Sequence, residues 1–359
     1  MIAVTGIALI LDLPFLPCLI GFALLTLVYT ALGGIKAVIW TDCFQAVIFL
    51  IAGLSACGFL VATVGWDELI QLGQEADRFK VINIFPESLE GWSILNDPQW
   101  IVTAILFGFL STLGAMGTDQ DMVQRLLCSE DLGKAKRSLI ISGVIAIPVA
   151  SLFLFIGIAL FAYYSGASTE GLPMVDGSID GNKIFPHFIG SDIPMLLRGI
   201  LLMGLLAAAM SSLDSAMAAL SSSAVIDLIE PLSKRFLDTK SMLFISRLVT
   251  LGFAVLLVMI AYSLKDGGTF LWLSFKITSL TYSGLLGLFF LGMFTKRGSD
   301  KGNLIAMLSG TVVASVYLWG TESGWLPLAW TWVIVVGAGT SLGVGMLFKS
   351  NNVLEDESA

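Results

Sequence analysis

The sequence is short of charge. Only 13% of its 359 residues are Asp, Glu, Lys or Arg, about half the share typical of soluble domains. A soluble fold so poor in charge does not keep its surface wet, so soluble enzymes, nucleic-acid binders and disordered scaffolds are excluded. Histidine is almost absent. His187 is the only one, so a histidine metal cluster is excluded; no Ser/His nucleophilic pair is supported, and no enzyme is expected. Cysteine is scarce as well. Cys18, Cys43, Cys57 and Cys128 lie in or beside apolar runs. Their spacing gives neither a disulfide framework nor a metal site, and they read as free thiols. Bases are outnumbered, 19 against 27 acids, for a net charge of −8, so no nucleic-acid partner is expected. Period-two alternation is missing too, which excludes an outer-membrane barrel.

What the sequence has is long apolar runs. Windows of about 20 residues give about nine full spans plus one partial span. The partial one is Ile2–Leu11. The full ones lie at 15–32, 40–65, 99–117, 138–163, 195–226, 242–263, 269–294, 302–319 and 327–347. The expected fold is therefore an all-α polytopic membrane protein whose lipid contacts cover most of its surface. Residues 1–347 form one transmembrane domain, and 348–359 a short acidic tail with Glu355, Asp356 and Glu357. Two polar loops are long, 66–98 and 164–194. The first holds Asp67, Glu68, Glu75, Asp77, Glu87, Glu90 and Asp97.

Bases set the orientation. Lys36, Arg125, Lys134, Lys136, Arg137, Lys234, Arg235, Lys240, Arg247, Lys296, Arg297, Lys301 and Lys349 fall on one side. Arg78, Lys80, Lys183, Arg198 and Lys265 fall on the other. The richer side is cytoplasmic, so both long loops are outside and the C-terminus is inside. Met1 opens directly onto ten apolar residues, too few to cross a bilayer of ~30 Å. A basic leader region and a cleavage site are both lacking, and Asp12 and Pro14 end the run. The chain reads as starting inside a helix, as an N-terminally truncated form of a longer protein would.

Polar groups inside spans cost ~2.5–3.5 kcal/mol when charged and so mark function. Four places qualify. In Tyr29–Gln45 a span ends at Gly33-Gly34, a basic turn follows, and a span restarts at Thr41-Asp42. Asp42 with Gln45 fits a capping box, or Asp42 faces inward and holds a cation. In 204–227 small residues allow close packing, while Ser211, Ser212 and Ser215 supply hydroxyl oxygens and Ala208 a carbonyl, suitable ligands for a small hard cation. Asp214 points to another face. In 108–125 a glycine-rich span runs into Thr118-Asp119-Gln120. That is either a packed helix end or an interrupted helix with free backbone groups for a solute. Lys276 either snorkels outward or meets an anion inside.

These motifs together resemble the sodium/solute symporter family. The run from Tyr29 through Gly33-Gly34 and Trp40-Thr41-Asp42 to Gln45 matches it. So do Thr118-Asp119-Gln120 with Gln124-Arg125, Ala208 to Ser215, and Gly284 to Gly292 before Lys296-Arg297. They occur in the family's order and cover nearly the whole chain.

The resemblance implies a leucine-transporter-like inverted-repeat helix bundle, present in part and lacking the first two core helices. It implies sodium-coupled symport of a small organic solute across the plasma (inner) membrane by alternating access. Sodium is the coupling ion, and no other cofactor is implied. Ala208, Ser211 and Ser212 match ligands of the shared sodium, and Asp42 and Ser215 those of a second sodium found in some members. Asp119 and Gln120 match sugar, inositol and sialic-acid members, although Ala115 and Met116 replace the aromatics of sugar members. Lys276 suits a carboxylate, as of a sialic or other organic acid. Sodium, one solute and membrane lipid are the implied partners. The alternatives are a fragment without transport activity and a symporter-like membrane sensor.

Overall fold

The structure is a computed structural model and describes residues 2–80, 84, 95–165, 171–175, 178–233, 238–265 and 270–349. Lys234, Arg235, Glu87, Glu90 and all of the expected tail beyond Lys349 lie outside the described residues. The helices are α1 (Ile2–Leu11), α2 (Phe15–Val64), α3 (Trp66–Glu75), α4 (Ile101–Thr118), α5 (Gln120–Leu127), α6 (Leu132–Ser165) and α7 (Ile184–Ser191). They continue as α8 (Met195–Ser223), α9 (Glu230–Leu232), α10 (Thr239–Ser263), α11 (Phe270–Phe294), α12 (Asp300–Glu322) and α13 (Val333–Met346). A hairpin pairs Met174–Val175 with Ser178–Ile179. Among the described residues, seven helices are long and apolar enough to cross a membrane. At 1.5 Å per residue, 20 residues cover the ~30 Å hydrocarbon layer.

The expected turn between 33 and 40 shrinks to one residue. The spans at 15–32 and 40–65 run as the single helix α2, and its one non-helical residue is Gly34, at φ 60° and ψ −165°. Side chains rarely adopt that backbone, and glycine does so at no steric cost. Helix formers resume at once with Ile35. Asp42 therefore lies two turns inside a helix, and the capping-box reading fails. Thr41 confirms the setting, since its hydroxyl donates to Ala37 and Val38 carbonyls one turn back. At the other end, the span expected at 327–347 begins later. Residues Trp330–Trp332 form a 3₁₀ turn before α13, because Pro327 cannot donate within a helix. The partial span is α1, stopped where expected by Asp12 (φ 51°) and Pro14.

The chain divides into two compact units. The first comprises Met1–Phe79 and Gln124–Phe270. Its core joins Ala56 and Leu60 of α2, Leu69 of α3, Ile156 and Leu160 of α6, Phe188 and Ile189 of α7, and Leu201 of α8. A second cluster joins Val4, Leu19 and Phe22 to Leu206, Met210 and Leu213. Helices α2 and α8 pack tightly because Gly204 faces the Ala52 methyl with no room for a side chain.

The second unit comprises Lys80–Val123 and Leu271–Ala359. Leu286, Ile334 and Ala338 form one core with Phe107 and Phe289, and Ala314, Tyr317 and Val333 form another. Here α11, α12 and α13 meet through small residues. A β-carbon at Gly310 would stand 2.7 Å from the Gly337 carbonyl oxygen and 2.8 Å from Ser341 Cβ. The buried Ser341 hydroxyl donates to the Gly284 carbonyl at 2.9 Å. Lipid supplies no hydrophobic drive between helices, so such close contacts and cross-helix hydrogen bonds hold them.

Candidate functional site

Inside the first unit, α2, α5 and α8 bring polar side chains together within the apolar bundle. Ser211, Asp214 and Ser215 stand on α8, and Tyr29 and Asp42 on the two sides of the Gly34 break in α2. The Ser211 hydroxyl donates to Asp42 Oδ1 at 2.6 Å. The other carboxylate oxygen lies 2.8 Å from Nη1 of Arg125 on α5. Arg125 Nη2 also donates to the Ser215 hydroxyl. Ser215 in turn donates to Asp214 Oδ1 at 3.3 Å, and the Tyr29 phenol donates to Asp214 Oδ2 at 2.6 Å. About two helical turns further along α8, Gln124 donates its amide to Ser222.

The electrostatics follow from burial. Asp42 keeps 13% of its side chain exposed, Arg125 29%, and Asp214 none. A carboxylate so placed persists only with a cation or strong donors beside it. Arg125 provides that cation in this structure. The cluster therefore joins two carboxylates, Asp42 and Asp214, two serine hydroxyls and one guanidinium within the apolar bundle.

Each residue expected at the cation sites can now be placed. Asp42, Ser211 and Ser215 come together through Arg125 and each other. Ala208 and Ser212 form a second group, in which the Ser212 hydroxyl donates to the Ala208 carbonyl at 3.3 Å. Ser212 is exposed while Ser215 is buried, so this second group lies on the open side of α8. Asp214, expected on another face, joins the same cluster through Ser215 and accepts from Tyr29 of α2.

The solute candidates belong to a different part of the chain. Helices α4 and α5 are separated by Asp119 alone, whose backbone is extended at φ −78° and ψ 124°. The glycine-rich span is thus an interrupted helix and not a simple helix end. Asp119 Oδ1 accepts the Asp121 N–H at 3.0 Å, and Oδ2 accepts the Tyr282 phenol at 2.6 Å. Gln120 begins α5 and is exposed. Lys276 meets an anion from its own chain, pairing with Glu322 at the end of α12 at 2.8 Å. Glu322 is half-exposed, so the lysine is drawn toward the helix end.

Sequence reasoning counted Arg125 among the cytoplasmic bases and placed Arg125 and Tyr29 in family motifs, but gave Arg125, Tyr29 and Tyr282 no role at the site. A signal existed for Arg125. An arginine following an apolar span needs a carboxylate, and Asp42 is the membrane-embedded acid nearest in kind. Phenols carry no such signal, because tyrosine sits comfortably in apolar surroundings.

Comparison with known proteins gives the family and the fold. The sodium:solute symporter family model matches residues 4–310. A sodium/sialic acid symporter of Aliivibrio fischeri is 27% identical over 322 residues, covering 88% of this chain and 61% of that protein. The human sodium/iodide cotransporter is 30% identical over 292 residues, covering 80% of this chain and 43% of that protein. The chain thus spans less than two thirds of the length of these relatives. A solved structure of a Na+-coupled sialic acid symporter, substrate-bound and outward-open, matches with a TM-score of 0.75. It is 24% identical and covers 96% of this chain and 70% of that one, which establishes the leucine-transporter-like fold. The chain belongs to the sodium:solute symporter family.

Proposed function

We propose that this chain carries sodium-coupled uptake of a small organic solute across the plasma (inner) membrane, with its C-terminus in the cytoplasm. The observation that carries this reading is Asp42, a largely buried carboxylate inside a membrane-crossing helix, shared by Ser211 and Arg125. Sodium at Asp42 and Ser215 competes with the guanidinium for the same oxygens. Occupancy of the pocket and the position of α5 are then linked, and each biases the other by the same free energy. Ala208, Ser211 and Ser212 hold the family's shared sodium from the α8 side. Each sodium moving inward across 100 mV contributes about 2.3 kcal/mol, enough to drive uphill uptake with one or two ions.

The solute binds at the α4–α5 interruption, where the backbone N–H and C=O groups freed by the break can meet it. Gln120 contacts it, and Asp119 orders the break. A sialic acid or related organic acid is the favoured class, supported by the names of two relatives in the family. Lys276 serves such an acid only when the carboxylate displaces Glu322.

Ser212→Ala tests the shared sodium position. With the protein in proteoliposomes, uptake of radiolabelled sialic acid by this variant is expected to fall to the rate seen in potassium. Full sodium stimulation in Ser212→Ala rules the position out.

A further inference from the structure

Tyr282 has no part in the Asp42 cluster, yet it touches both the end of α4 and the breaking residue of the α4–α5 interruption. Its phenol donates to Asp119 Oδ2 at 2.6 Å, a charge-assisted bond of the short, strong kind. Its ring covers Gly114, where a β-carbon would stand 3.0 Å from Cγ and Cδ2 and 3.1 Å from Cβ. Gly114 is one turn before the break, and its carbonyl accepts the Thr118 hydroxyl at 2.7 Å. Asp119 is the break itself, and its remaining oxygen holds the first turn of α5 through the Asp121 N–H at 3.0 Å. One side chain of α11 thus grips the end of α4 and the residue from which α5 starts.

We propose that Tyr282 is a positioning residue for the solute, a role that rests on the symport reading above. The free N–H and C=O groups at an interruption point wherever the backbone torsions of the breaking residue send them. Asp119 sets those torsions, and its carboxylate is fixed from two directions, by its own chain and by α11. Without the phenol O–H, the carboxylate is held from one side only and the Gly114 contact loses its anchor. The solute then meets a break whose groups wander, and binding weakens more than turnover.

Two measurements on the whole chain test this. In proteoliposomes, Tyr282→Phe is expected to raise the KM for radiolabelled sialic acid about tenfold, with Vmax within about twofold. The double variant Tyr282→Phe, Asp119→Asn should be no worse than the poorer single one, since both remove the same bond. Hydrogen exchange on the purified protein reads the latch without transport, and the Asp121 amide should exchange about tenfold faster in Tyr282→Phe. Unchanged exchange there overturns the latch. Faster exchange with an unchanged KM, or additive losses in the double variant, overturns its role toward the solute. Failure of the wild-type chain to take up solute with sodium counts against the symport reading and removes the solute role with it, while the exchange result still judges the latch.

Discussion

Arg125→Ala is expected to make the stability of the protein depend on sodium. The variant leaves Asp42 with only 13% of its side chain exposed and no guanidinium beside it. Breaking a buried ion pair from one side costs about 3–5 kcal/mol, and the lower end applies because Arg125 is itself 29% exposed. In potassium the variant should unfold several degrees below the wild type. On the proposed reading sodium binds the native cluster and not the unfolded chain, and at a hundredfold excess over its Kd it would return about 2.7 kcal/mol. The gap should therefore close largely in sodium chloride. Thermal unfolding in detergent, in matched sodium and potassium buffers, checks this. Equal losses in both salts would mean that the carboxylate does not take sodium.

Gly337→Val is expected to prevent the second unit from assembling. A β-carbon at Gly337 would collide with the Ser283 side chain and stand 2.9 Å from the Ala314 methyl. Neighbouring Gly310 already approaches the Gly337 carbonyl within the distance of a methyl contact. Three helices converge there, and their backbones cannot all retreat. Overpacking ordinarily costs about 1–3 kcal/mol, and this position lies at or above that range. Gly339 is the control, because its β-carbon would meet nothing within 4 Å. Size-exclusion profiles and limited proteolysis should show Gly337→Val aggregated or cut within 271–346 and Gly339→Val intact. An undisturbed Gly337→Val would contradict the close packing of α12 on α13.

Most of the membrane architecture could be read from hydropathy, because a 20-residue apolar run has few other uses. The Gly34 break could not be measured this way. Two adjacent glycines and a lysine look like a loop, but the helix resumes at Ile35 and leaves only Gly34 outside helical geometry. The same misjudgement placed Asp42 at a helix start. The resemblance grouped Asp42 with Ser215, and Ser211 with Ala208 and Ser212; the bond from Ser211 to Asp42 joins positions 169 residues apart, which carry no local signal for contact. The partners of charged groups were the hardest to foresee. Arg125 meets Asp42 through a contact distant in sequence that no local pattern announces. Lys276 finds Glu322 for a similar reason, as helix length and the placement of α12 bring its end to the lysine.

The most direct measurement is uptake itself. Proteoliposomes holding the 359-residue chain are loaded with potassium and diluted into sodium, then into potassium, with radiolabelled sialic acid outside. Sodium symport requires accumulation above the external concentration under the inward sodium gradient, loss of it when the gradient is collapsed by an ionophore, and loss of it in Asp42→Asn. Equal uptake in sodium and potassium, or full accumulation by Asp42→Asn, would contradict a sodium-driven mechanism built on this pocket.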